Sequence, residues 1–290
     1  MRSLLFVPGD SERKLEKAFS SAADVVIVDL EDSVALDGKA RARQIAGEFL
    51  LARGTVPGPK VYVRINELAS GMSEADLGAM LPAAPAGVML PKAGGGADVE
   101  RLSAMLRVQE AIAGRPDCAT AIIPIITETG VGVFSAGTYA GSSTRLAGLT
   151  WGAEDLSAAI GARSTRDDSG LFTDVFRLAR ALTLLGASAA DTAAIDTVYP
   201  NFRDAAGFAA ECRDAERDGF VAKMAIHPDQ VPVINAAFTP SAEAVQEARS
   251  VVDAFTAAGN AGVINLDGRM FDRPHLRRAQ RLLARAGKAG

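Results

Sequence analysis

The chain alternates. A short run rich in β-branched and apolar residues is followed by an alanine-rich amphipathic stretch, and the pair recurs along most of the sequence. The β-rich runs are SLLFV (3–7), VVIVDLE (25–31), VYVRIN (61–66), GVMLPK (87–92), AIIPIIT (121–127), RLAGLTWG (145–152), AIDTVYP (194–200) and VAKMAIHP (221–228). Several are apolar throughout, as parallel strands covered on both faces are. Between them the pattern predicts helices over 10–20, 38–52, 73–81, 97–113, 130–140, 155–161, 174–187, 203–217 and 241–258. Ser11 and Asp204 stand where N-caps belong, and Gly186 and Gly219 where helices stop. Eight β/α units in about 240 residues specify a (β/α)8 TIM barrel. A doubly wound open sheet is the alternative, but it wants a glycine-rich fingerprint after the first strand, and VPGDSERK has one glycine.

After residue 258 the register changes. A short run, a turn at Asp267-Gly268, a second short run ending at Asp272 and a basic helix from Pro274 make a ninth unit with no place in an eightfold barrel. The expected organisation is a catalytic barrel over 1–258 and a C-terminal extension over 259–290. That extension packs on the barrel or reaches a neighbouring subunit.

The totals exclude several functions. The longest apolar runs are far shorter than the roughly 20 residues that cross a bilayer. The net charge of −4 argues against nucleic acid. Cys118 and Cys212 are the only cysteines and belong to no CxxC, so neither a disulfide framework nor a zinc site is expected. Two free thiols fit the cytoplasm.

The active site of such a barrel lies at the C-terminal strand ends. There stand Asp29, Glu31 and Asp32, then Arg64 and Asn66, Lys92, Thr127 and Glu128, Glu154 and Asp155, Tyr199 and His227. Strands one to six are otherwise almost free of charge, so charges gathered at one rim are hard to explain by core packing. Asp155 alone could cap a helix, and Glu128 alone could pair with a lysine. Together they close strands five and six, neighbours about 4.8 Å apart. Two carboxylates at that spacing repel unless a cation lies between them, and few carboxylates with open positions suit Mg²⁺. Arg64, near the core, must be paired. Glu31 is the expected partner, and Arg64 is a permanent cation for a developing enolate or a bound carboxylate.

RSLLFVPG, DVVIVDLEDSV, VYVRIN, GVMLPK, PIITETGVGV, GLTWGAEDLSA, GFVAKMAIHPDQ and DGRMFDRP, in this order, resemble the citrate lyase β-subunit-like branch of the HpcH/HpaI aldolase superfamily. The resemblance spans nearly the whole chain. It implies a Mg²⁺-dependent barrel (Mn²⁺ as an alternative ion) that breaks or makes a C–C bond beside an acyl thioester. The substrates it implies are citryl-, malyl- or citramalyl-CoA, and the products an acetyl thioester and a 2-keto acid. It places the metal carboxylates on Glu128 and Asp155, the arginine on Arg64, and a C-terminal acid acting at the thioester methyl on Asp272. In the family that acid comes from an adjacent subunit, which implies a trimer or a multiple of one. Glu31 and Asp32 become supports for Arg64 or for metal-bound water. Arg13, Lys14 and Lys17 are candidates for the CoA phosphates, though a solvated helix face explains them equally well. AGGG at 93–96 reads as a βα loop, His227 as a structural hydrogen-bonder, His275 as surface and Trp151 as core or pocket wall.

Three other functions compete. One is a citrate lyase subunit that works only with an acyl carrier protein. Another is a pyruvate-type aldolase of free hydroxy-keto acids, whose histidine base near the barrel start has no counterpart before residue 60. The third, a barrel that has lost activity, sits badly with the retained Arg64, Glu128, Asp155 and Asp272.

Overall fold

In the computed structural model, which describes residues 1–54, 56–259 and 261–289, every β-rich run becomes a strand. These are β1 (Ser3–Pro8), β2 (Val25–Asp29), β3 (Lys60–Arg64), β4 (Gly87–Leu90), β5 (Ala121–Pro124), β6 (Gly148–Thr150), β7 (Ala193–Asp196) and β8 (Ala222–Ala225). Each pairs in parallel with the next, and β8 pairs with β1. The last seam, β5 to β6, is closed by parallel bridges at Ile122–Leu146 and Ile125–Thr150. The result is a (β/α)8 barrel, as the alternation requires.

Two apolar layers hold it. Leu4, Val25, Ile27, Tyr62, Met89, Ile123, Ile125, Ile195 and Met224, from strands all around the barrel, fill the interior. The residues between them on the same strands, such as Leu5, Val26, Val63 and Val88, point outward into the larger layer under the helices. Each such side chain, fully buried, contributes roughly 1.5–3 kcal/mol. The Tyr62 ring lies over Gly87, its partner on the neighbouring strand β4, where a Cβ would collide with it.

The helices follow the strands: α1 (Glu12–Phe19), α2 (Lys39–Arg53), α3 (Ser73–Met80), α4 (Gly96–Ile112), α5 (Gly130–Phe134), α6 (Ala153–Ile160), α7 (Asp174–Ala189) and α8 (Ala205–Asp218). Asp204 caps α8 by accepting from the Gly207 N–H at 2.9 Å, and Gly219 ends it with φ +115°. Three expectations change. Helix α5 stops at Phe134; with three glycines, Gly130, Gly132 and Gly137, the span 130–140 is too poor in helix formers to carry it further. Gly186 does not stop α7; it sits inside the helix, where a side chain would strike the Ala136 carbonyl oxygen. The eighth barrel helix is α9 (Gln230–Phe238), whose Val231, Ile234 and Phe238 join the outer layer beside β1 and β8.

The helix expected over 241–258, α10 (Ala242–Ala257), packs instead on the tail. The hairpin β9 (Val263–Leu266) and β10 (Arg269–Asp272) leads into α11 (Arg273–Ala289). Ala248, Val251 and Phe255 of α10 share a separate small cluster with Ile264, Phe271 and Ala279. Asn260 and Gly290 of the expected extension lie outside the described residues.

Candidate active site

The mouth is assembled by strand register. Pairing of β2 with β3 sets Asp29 directly beside Arg64. Both follow inward-pointing residues by two, Ile27 and Tyr62, so both side chains rise from the barrel interior. Arg64 donates Nε–H to Asp29 Oδ1 at 2.7 Å and Nη2–H to Oδ2 at 2.6 Å. Its remaining edge faces Glu31 Oε2 at 3.0 Å and Asp32 Oδ2 at 3.5 Å, and its plane lies 4.9 Å from the centre of the Phe6 ring. Asp29 also accepts the backbone N–H groups of Glu31 and Ser33, so the loop after β2 is wound around this carboxylate. Burial opposes the Asp29 charge, and the Arg64 hydrogen bonds more than offset it, holding the carboxyl below its usual range. Burial likewise opposes the Arg64 charge, but its acid neighbours hold the guanidinium above its ordinary value.

Glu31 is less well served. Burial pushes its carboxyl up to about 7, although Arg64 and Lys92 pull the other way. Lys92 Nζ contacts Glu31 Oε1 and lies 3.6 Å from both Asp32 Oδ1 and Asp155 Oδ1. Asp32, half exposed, faces the same lysine and Arg64.

Glu128 ends the extension of β5 and is 3% exposed. The Lys92 backbone N–H donates to its Oε2. Burial first, and then the Asp155 charge, push its carboxyl up to about 8. Gly152 makes room for it: a Cβ there would stand 2.7 Å from Glu128 Cγ. Gly152 is also the N-cap of α6, so Asp155 is not the cap but the third residue of the helix. There it meets the positive end of the helix dipole and turns toward Lys92. Of the two adjacent acids, Glu154 points to solvent and Asp155 into the mouth.

The structure thus brings Glu31, Asp32, Arg64, Glu128 and Asp155 together. Asp29 and Lys92, which the sequence places at the rim without assigning either a role, complete the group. The inward alternation of β2 marks Asp29; the backbone of Lys92, at φ +51°, carries no sequence signature. Asp272 stands apart from this group, at the end of β10, with its carboxylate 2.5 Å from His275 Nδ1. That hydrogen bond holds the Asp272 carboxyl below its usual range. Arg13, Lys14 and Lys17 are exposed on α1. The AGGG loop is closed on itself, its Gly94 and Gly96 N–H groups taken by Asp98 and Thr138. Trp151 is core, donating to Asp196 at 2.8 Å.

Five carboxylates therefore face two cations at the mouth. A (β/α)8 barrel with an anchored arginine and unneutralised acids at its C-terminal rim defines an α/β-barrel enzyme. Residues 2–228 match the model of the HpcH/HpaI aldolase/citrate lyase family, and the chain belongs to that family. It is 37% identical over 286 residues to a citrate lyase subunit beta-like protein of Mycobacterium tuberculosis, with 98% of this chain and 95% of the relative covered. It is 34% identical over 289 residues to a (3S)-malyl-CoA thioesterase of Cereibacter sphaeroides, with 98% and 94% covered. The crystal structure of the CitE protein from Mycobacterium tuberculosis in complex with magnesium, acetoacetate and coenzyme A is similar at a TM-score of 0.77 and 36% identity. That match covers 99% of this chain and 98% of the other.

Proposed function

We propose that this protein is a Mg²⁺-dependent carbon–carbon lyase that cleaves, or forms, a 3-hydroxyacyl-CoA thioester such as malyl-, citramalyl- or citryl-CoA. The products of cleavage are an acetyl-type thioester and a 2-keto acid. The carrying observation is Glu128: a buried carboxylate beside Asp155, pushed up to about 8, in a mouth short of positive charge. Such a pair fits a hard divalent cation, which keeps open positions for substrate oxygens. Magnesium held by Glu128 and Asp155 would supply Lewis-acid charge to the carboxylate and hydroxyl of the acyl group.

The rest falls to side chains of the chain itself. Arg64, fixed on two sides by Asp29 and Glu31, aims a permanent charge at the thioester oxygen, where negative charge develops as the C–C bond breaks. Glu31 and Asp32 orient that arginine. The hydroxyl proton passes to solvent water as the keto group forms, and a proton must be added to the enolate carbon to make the methyl. Asp272 is the group we assign to that carbon. Held charged by His275, it accepts the methyl proton in the condensation direction; in cleavage it acts from its protonated form and passes that proton to the enolate carbon. Since Asp272 stands apart from the mouth of its own chain, we assign it to the mouth of a neighbouring copy in a trimer or a multiple of one. Arg13, Lys14 and Lys17 are our candidates for the CoA phosphates. The two free cysteines accord with a cytoplasmic enzyme.

The test is a cleavage assay with malyl-, citramalyl- and citryl-CoA, following keto acid. One thioester should be cleaved, with activity lost on chelation and in Asp155→Ala and Asp272→Ala. Mixed oligomers of those two variants should regain part of the activity if Asp272 acts across the interface. No turnover of any CoA ester would sink the free-standing lyase and point to a carrier-protein-dependent subunit or an aldolase of free keto acids.

A further inference from the structure

Lys92 has no part in the chemistry above, yet it touches more of the mouth than any other residue there. It follows Pro91 at the end of β4, and its φ of +51° is one that residues with a side chain rarely adopt. That backbone turns its N–H onto Glu128 Oε2, while the Ala93 N–H beyond it is tied to the Ile125 carbonyl at 3.2 Å. The same residue sends its ammonium among the acids of two other elements. It contacts Glu31 and lies 3.6 Å from Asp32 and 3.6 Å from Asp155. Arg64, the other cation at the mouth, lies beyond Glu31 and Asp32 and has Asp29 to itself.

We infer that Lys92 is a positioning residue that sets the mouth's affinity for a divalent cation: its backbone presents Glu128, and its ammonium neutralises Asp155 and Glu31 in competition with the cation. The inference rests on the reading of Glu128 and Asp155 as the cation's ligands. A cation arriving between them meets a fixed positive charge within about two atomic diameters, in a half-buried site where such repulsion is poorly screened. A lysine that served only as a cross-link would act with the opposite sign, since its loss would loosen the acids and weaken the cation. The advantage of competition is release: the ion is held firmly enough for the reaction, but its acids are never left bare.

Magnesium titration by calorimetry separates the two. The full-length protein is compared with Lys92→Met, Lys92→Gly and Lys92→Arg, and each fold is checked by thermal melting. Glycine adopts φ +51° freely and keeps the N–H on Glu128, so it serves where the methionine variant fails to fold. The Kd for Mg²⁺ is expected to fall about fivefold or more in the Met and Gly variants and to stay within about twofold in Arg. An unchanged or weaker Kd in Met and Gly overturns the inference and leaves the metal reading standing. Wild-type protein that binds no Mg²⁺, or binds it equally well as Glu128→Gln with Asp155→Asn, overturns both.

Discussion

The two ends of the barrel each carry a buried glutamate, and the two behave oppositely. At the N-terminal end, Glu110 of α4 is gripped by Arg145 through hydrogen bonds of 2.8 and 2.7 Å. It also accepts the backbone N–H groups of Thr120 and Cys118. Burial opposes its charge, but these donors win, and its carboxyl lies below the usual range. At the C-terminal end, Glu128 is likewise closed to solvent but lies deeper, with one backbone donor and an acid neighbour, and its carboxyl rises to about 8. The lower cluster is matched charge for charge and ties α4 to the loops before β5 and β6. The upper one is left unmatched. Enclosed acids with their partners supplied hold the fold together, and enclosed acids without them wait for something else.

Breaking the arginine at each end should separate stability from activity. Arg145→Met strands Glu110 without a counter-charge and should cost about 3–5 kcal/mol in urea unfolding, with Mg²⁺ affinity unchanged. Arg64→Met also destabilises, by stranding Asp29, but in addition should lower turnover about 10²–10³-fold. If Arg145→Met impaired magnesium binding as strongly as it impaired stability, the contrast between the ends would fail.

Gly152→Ala probes the upper end alone. The new methyl displaces Glu128, so Mg²⁺ should bind about tenfold more weakly, with a stability loss of about 1–3 kcal/mol. Unchanged affinity would show that Glu128 need not sit where it does.

The pH dependence is subtler. Glu128 and Glu31 hold protons in the fold that they lose in the unfolded chain, so the folded state binds more protons between about pH 4.5 and their raised values of about 8 and 7. Metal-free protein should therefore lose melting temperature as pH climbs from 5 to 8. Glu128→Gln should flatten that decline, and a curve rising over this range would refute the charge shortage at the mouth. The smallest effect is expected from the triple variant Arg13→Ala, Lys14→Ala and Lys17→Ala. It should raise the KM for the CoA thioester by no more than a few-fold, and less in high salt.

Much of this contrast was legible in the residues. The eight strands announce themselves because continuously apolar runs bounded by glycine and proline have few other uses. Arg64, Glu128 and Asp155 stand out because charge is scarce on these strands and falls at one end of them. Asp29 hid beside the more conspicuous Glu31, although alternation from Ile27 puts it on the inward face as the last residue of β2, whereas Glu31 lies beyond the strand's end. Lys92 is legible as a rim residue, but its contacts are not, because they depend on one backbone angle and on three acids from distant segments. Helix α9 was missed because its nine residues include Pro232 and follow β8 after a short turn, so they look like the strand's own continuation. The lower Arg145–Glu110 pair gave no signal either, since 35 residues separate its members.

The layer of side chains that fills the barrel interior, Leu4, Ile27, Tyr62, Met89, Ile123 and Ile195 among them, has one more consequence. The barrel is stoppered from beneath, so traffic through it is one-way in architecture and two-way in use: whatever enters at the rim must back out of the same door. A molecule carrying a long thioester arm blocks that door while it stays. The arm-bearing product must therefore leave first, and the small acid seated beneath it last. Inhibition by the two products should show that queue, the small acid competing with substrate for the empty enzyme and the thioester acting on the enzyme that still holds the acid.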